Sequence, residues 1–291
     1  MIQFGRVSTA MVTPFDKKGH IDFPKTTQLV NHLIENGTDS LVIAGTTGES
    51  PTLTKEEKLA LFRHVVRVVD KRIPVIAGTG GNDTYASIDL TKKAAATGVD
   101  AVMVVAPYYN KPNQEGLYQH FKEIAVSTSL PIMVYNIPGR TAINILPETI
   151  IRLSEIENIV AVKEASGDLS AMARIIAGTD EDFLLYSGDD GLTIPVLSIG
   201  GYGIVSVASH VIGNEMQAMI QAFFNGDYKT AAKQHQQLLP IMEGLFTAPN
   251  PTPVKTSLQL KGIDVGSVRL PLVPLTEQER NALIALFKTA D

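Results

Sequence analysis

Cysteine is absent from this chain of 291 residues, which excludes disulfides, thiolate metal sites and cysteine nucleophiles and leaves the redox compartment open. Clusters of Lys and Arg are absent too, and 25 basic against 30 acidic residues leave a net charge of −5. That balance argues against nucleic acid or an anionic membrane as the main partner. No window approaches the roughly 20 apolar residues of a membrane span. The first residues, MIQFGRVSTAMVTPFD, have no charged start followed by a sustained apolar run, so a cytoplasmic protein is expected. The glycines of GTGGN (78–82) and GGYG (200–203) lack the dinucleotide spacing, and the chain has no P-loop and no G-x-S-x-G elbow. The six histidines, at 20, 32, 64, 120, 210 and 235, have no partners at i, i+4. No metal site is therefore expected, and Asp189 and Asp190 read as loop or cap residues.

What is present is an ordinary globular composition, 44% hydrophobic and 19% charged, long enough for a large core. Short runs rich in Val, Ile and Ala recur at 7–13, 41–45, 74–78, 101–106, 131–136, 159–164, 183–187 and 203–209. Each ends in Gly, Thr, Pro, Asn or Ser and precedes a helix-like stretch. Near-continuous apolar character marks strands covered on both faces, as parallel strands are. Thr54 with Glu57 and Thr276 with Glu279 have capping-box spacing, and Asp83 and Asn113 suit two further helix starts. Eight alternations of strand and helix predict an α/β fold, a (β/α)₈ TIM barrel over 1–224. Helical stretches near 214–225, 227–247, 252–260 and 276–289, interrupted by Pro249, Asn250, Pro251 and by Pro271 and Pro274, predict a small helical extension over 225–291.

Lys163 stands out because it lies within the apolar run IVAVKEAS, 159–166. With a period of two, Ile159, Ala161, Lys163 and Ala165 share one face and Val160 and Val162 the other. The small alanines leave room for the amine and for a small molecule. Burial lowers a lysine pKa, and the neutral amine attacks carbonyls. The plainer alternatives are an ammonium that reaches water at the strand end or a buried pair with Glu164. Barrel active sites lie at the C-terminal ends of the strands. There this chain has GTTGES (45–50), PYYNKP (107–112), YNIPGRT (135–141), Lys163 and SGDDG (187–191). Tyr135 falls on the face of Met133, next to the lysine strand, where a phenol could shuttle protons as a carbinolamine loses water; otherwise it is a core tyrosine. Thr46 and Thr47 are equally natural as turn residues. Arg140 could clamp a carboxylate through its planar fork, although a lone loop arginine is commonly a surface residue.

Taken together, GTTGE at 45–49, YNIPGRT at 135–141 and Lys163 in VKEAS, 28 residues beyond the tyrosine, resemble the class I pyruvate aldolase/lyase family over essentially the whole chain. The resemblance is closest to its branch that condenses pyruvate with aspartate 4-semialdehyde for lysine and diaminopimelate synthesis. It implies a Schiff base on Lys163 and no other cofactor. It further implies a proton relay of Tyr135, Thr46 and Tyr109, the last reaching into a neighbouring subunit's site. Thr47 would contact the pyruvate carboxylate, Arg140 would hold that of the semialdehyde, and Gly188 and Val205 would line the site with backbone. A homotetramer of two dimers, or a dimer, is the implied assembly. N-acetylneuraminate lyase and keto-deoxy sugar acid aldolases share the lysine and the tyrosine, so the choice between branches rests on Thr47, PYYNKP and above all Arg140. A catalytically silent pyruvate-binding barrel is the alternative outside enzymes. Members inhibited by lysine match at Ser50, Pro51, Asn82 and Tyr108. They carry histidines where this chain has Lys55 and Lys58, and a carboxylate where it has Ala86. Weak or absent feedback by lysine is therefore expected.

Overall fold

Eight short parallel strands close into a barrel in the computed structural model, which describes residues 4–290. Residues 1–3 and 291, the outer ends of the two expected segments, lie outside the described residues. The strands are β1 (Val7–Ala10), β2 (Ser40–Ile43), β3 (Val75–Gly78), β4 (Ala101–Val105), β5 (Ile132–Asn136), β6 (Ile159–Glu164), β7 (Leu184–Ser187) and β8 (Gly203–Ser206). Each pairs with the next in sequence and β8 pairs back with β1. All eight expected runs are strands, and several stop early at their C-terminal ends. Ala44 breaks β2 with a φ of 50°, and Ser209, expected in the last strand, opens the helix Ser209–Phe224.

Two apolar layers explain why the runs look continuous in sequence. One layer, including Leu41, Val104, Val134, Val162 and Ile204, packs between strands and helices. The other, including Ala10, Val42, Met103, Met133, Tyr135, Ala161, Tyr186 and Val205, fills the barrel. β6 departs from plain alternation. Ile132 pairs with Ile159 but Met133 pairs with Ala161, so Val160 is an extra residue in the strand. As a result Ile159 joins the helix-side layer and Val160 the interior, the reverse of the alternation expected for these two positions. From Ala161 onward the expected faces hold, and Tyr135 stands opposite Lys163.

The helix starts follow their caps. Thr54 and Glu57 form a reciprocal capping box, and so do Thr276 and Glu279. Asp83 accepts from the amides of Tyr85 and Ala86, and Asn113 accepts from that of Gly116. Beyond Phe224 lie the helices Tyr228–Gly244, Thr252–Leu260 and Glu277–Ala290. This C-terminal part folds back on the barrel, with the Phe15 amide donating to the Val265 carbonyl and Lys25 pairing with Asp264 at 2.7 Å. No helix among the described residues is long and apolar enough to cross a membrane.

Candidate active site

Lys163 is only 5% exposed and faces the barrel interior, its Nζ 4.2 Å from the centre of the Tyr135 ring. Neither a water-facing ammonium nor a pair with Glu164 describes it. The Glu164 carboxylate points away and accepts from Asn136 Nδ2 at 2.9 Å and the Ser166 amide at 2.7 Å. Lys163 has no ion pair among the described residues. Burial pulls its pKa down to about 8; the buried Asp190 carboxylate opposes that fall and the Arg140 charge adds to it. A substantial neutral fraction at mildly alkaline pH makes this amine a nucleophile toward a carbonyl.

Tyr135 is 3% exposed, and burial pushes its hydroxyl up to about 12, with the Thr46 hydroxyl drawing it back. It therefore stays protonated at neutral pH and acts as a donor or as one link of a shuttle. Thr46, Tyr135 and Arg140 line a cavity of about 390 Å³. Arg140 and Gly188 line a second, of about 630 Å³, against the helix Tyr228–Gly244. Arg140 thus stands between the two. It sits on a single helical turn, Pro138–Thr141, and its exposed guanidinium has no partner among the described residues. The loop that follows is held by Asn136, whose side chain bonds Asn144, Glu164 and the Ile145 amide.

Gly188 follows β7, and a Cβ there would stand 2.6 Å from Ala165 Cβ and 3.0 Å from Lys163 Cε. Glycine at this position is what leaves space for the lysine stem. Val205 belongs to the barrel interior on β8. Thr47 is buried and its Oγ1 accepts from Asn250 Nδ2 at 3.0 Å. Tyr109 is not brought to the rest of the site: it is 88% exposed on the loop after β4, with a φ of 74°, and Tyr108 lines the first cavity instead. Ser50, Pro51, Lys58 and Ala86 line that same cavity. Lys55 is turned to Asp89, at 3.1 Å, while the Asn82 carbonyl accepts from Asn110.

Sequence reasoning passed over three supports. Glu49, 3% exposed and left-handed at φ 57°, pairs with Lys255 at 2.6 Å and accepts from the Arg269 amide. Asn250, flanked in sequence by Pro249 and Pro251, donates to Thr47. Asp189 caps the turn at Gly191, as expected of a cap residue, but Asp190 is buried and accepts from Ser206 and from the Val207 and Ala208 amides, which joins β7 to β8. The sequence carries little signal for Lys255, because five of the nine residues of its helix, TPVKTSLQL, are polar.

The sequence profile of the Dihydrodipicolinate synthetase family matches residues 3–290. The chain belongs to this family. It is 65% identical to the 4-hydroxy-tetrahydrodipicolinate synthase of Bacillus subtilis (strain 168) over 283 residues, 97% of this chain and 98% of the relative. The crystal structure of a dihydrodipicolinate synthase from Bacillus anthracis superposes with a TM-score of 0.98 at 66% identity and 99% coverage of both chains. That of the synthase from Cyanidioschyzon merolae with lysine bound has a TM-score of 0.98 at 49% identity, covering 100% of this chain and 99% of that one. The eight-stranded barrel is thus the fold of the Dihydrodipicolinate synthetase family, and the cavities at its strand ends fall where barrel enzymes keep their active sites.

Proposed function

We propose that this chain condenses pyruvate with L-aspartate 4-semialdehyde to give 4-hydroxy-tetrahydrodipicolinate, in lysine and diaminopimelate biosynthesis. The relationship to synthases at 65% identity over nearly the full length carries this reading, and Lys163, buried beside Tyr135 with no ion pair among the described residues, agrees with it. Lys163 attacks C2 of pyruvate, and the carbinolamine loses water to give an imine with no other cofactor. Loss of a C3 proton yields the enamine, which attacks the aldehyde carbon. The amine of the bound semialdehyde then displaces Lys163 as the ring closes.

In this reading Tyr135 and Thr46 carry protons to and from the carbinolamine. Thr47 contacts the pyruvate carboxylate, Arg140 holds that of the semialdehyde, and Gly188 and Val205 line the site. Tyr109 completes the relay in a neighbouring copy, a role that its exposure suits, within a homotetramer of two dimers or a dimer. Residues 1–224 form the barrel segment and 225–291 the extension, and the enzyme works in the cytoplasm. The test is pyruvate consumption with the semialdehyde, beside Lys163→Ala and beside N-acetylmannosamine. Turnover with the semialdehyde that vanishes in the variant is expected, whereas turnover with the sugar alone points to the N-acetylneuraminate lyase branch. Arg140→Ala should raise the semialdehyde KM severely, and unchanged kinetics would remove the case for that substrate.

Weak or absent feedback by lysine belongs to the same reading. Lys58, half-buried and without a carboxylate partner among the described residues, would repel a lysine ammonium, and Ala86 offers it no counter-charge. Lys55 contributes little, because Asp89 already pairs with it. Half-inhibition at submillimolar lysine in a steady-state assay would contradict this.

A further inference from the structure

We infer that Asn250, supplied by the C-terminal extension, is a positioning residue that aims the hydroxyl proton of Thr47 at the carboxylate of pyruvate. The inference rests on the reading of Thr47 given above. Asn250 is 8% exposed, and its Nδ2 donates to Thr47 Oγ1 at 3.0 Å. A threonine hydroxyl has one proton and two lone pairs. With a lone pair engaged by the amide, the proton must be given elsewhere, and Thr47 donates it to no acceptor among the described residues. Thr47 is itself only 3% exposed, so an unmade donor there is costly, and a carboxylate would satisfy it with a charge-assisted bond. The two ends of the amide have opposite effects. Nδ2 toward Thr47 frees the proton for a ligand, whereas an oxygen in its place would consume it.

The rest of the surroundings hold this geometry in place. Asn250 Oδ1 is also buried without a partner among the described residues, so the amide is not there to satisfy a network of its own. Two residues beyond Thr47, Glu49 is gripped by Lys255 and by the Arg269 amide. The Gly48 carbonyl accepts from Thr13 at 2.7 Å. The loop is therefore fixed just after the hydroxyl and, through the Glu49 amide that donates to the Thr46 carbonyl at 3.0 Å, just before it, and the single bond from Asn250 decides where the proton points.

The test reads pyruvate half-saturation in two ways: the steady-state KM with the semialdehyde saturating, and borohydride trapping of pyruvate on Lys163 without it. Asn250→Ala should raise both about tenfold, the worth of one hydrogen bond to a charged group, with kcat and the semialdehyde KM little changed. Asn250→Asp keeps the side chain's shape but accepts the Thr47 proton, so its effect should exceed that of alanine; it carries the test if the alanine variant fails to fold. On a Thr47→Val background, Asn250→Ala should add nothing. An equal effect on both backgrounds, or a loss of kcat with unchanged pyruvate half-saturation, would overturn the inference. Wild-type behaviour of both Asn250 variants beside an impaired Thr47→Val removes the inference alone. A Thr47→Val that binds pyruvate normally removes it together with the reading of Thr47.

Discussion

Two buried lysines in this molecule sit beside aromatic rings and differ in their polar partners. Lys163 Nζ lies 4.2 Å from the Tyr135 ring and Lys255 Nζ 4.3 Å from that of Phe15, and burial lowers the pKa of both. Lys255 has Glu49 at 2.6 Å and the Ser267 carbonyl at 2.8 Å, and Lys163 has no such partner among the described residues. The pair makes Lys255 a structural cation, whereas Lys163 has the surroundings that the proposed nucleophile requires. An unpaired buried lysine opposes folding. A fall from 10.5 to about 8, at about 1.4 kcal/mol per pKa unit, represents roughly 3 kcal/mol. Below pH 8 both folded and unfolded chains carry the proton and the full cost is present. Between pH 8 and 10.5 the folded chain releases it first, so stability rises with pH. Lys163→Met should therefore abolish turnover yet raise the unfolding midpoint at pH 7, and the gain should fade as the pH passes from 8 toward 10.5. Thermal unfolding at several pH values measures it. In the unmodified chain, kcat/KM for pyruvate should climb through pH 8.

At the scale of single elements, the register of β6 against its neighbours decides what the lysine sees. The extra residue Val160 reverses the first two positions of the strand, and no period-two reading could locate it, because every residue from Ile159 to Val162 is apolar. The lysine face survived because the irregularity precedes it. The opposing requirement comes from β7, where Gly188 leaves the stem of Lys163 its space. Gly188→Ala should cost about 1–3 kcal/mol of stability by overpacking and should lower activity further than that, because the stem itself must shift. Mass spectrometry of borohydride-trapped protein should show slower modification of Lys163, and a trapping rate equal to wild type would show that the strand ends give way elsewhere.

For the whole molecule, the decisive joint is between the barrel and the segment after Phe224. Lys255, Arg269 and Asn250 all act on the loop after β2, about 200 residues earlier in the chain. Arg269 also pairs with Glu57 and donates to the carbonyls of Gly19 and Thr52. Lys255→Met would leave the Glu49 carboxylate buried opposite a methyl group, so a destabilisation of about 3–5 kcal/mol is expected. Replacing both partners with apolar residues should recover much of it. Denaturant titration of the single and double variants checks both statements.

Local chemistry determined the order of strands and helices, the caps at Thr54, Asp83, Asn113 and Thr276, and the candidacy of Lys163, Tyr135, Thr46 and Arg140. Each depends on residues within a turn or two of itself, or on a motif read as a word. Tertiary structure alone decided that Glu164 turns away from the lysine, that Lys55 is spent on Asp89 while Lys58 faces the cavity, and that Lys255 rather than Lys163 is paired. A buried charge or hydroxyl takes its meaning from whichever group the fold brings within a few ångströms, and for Glu49 and Thr47 those groups come from the far end of the chain.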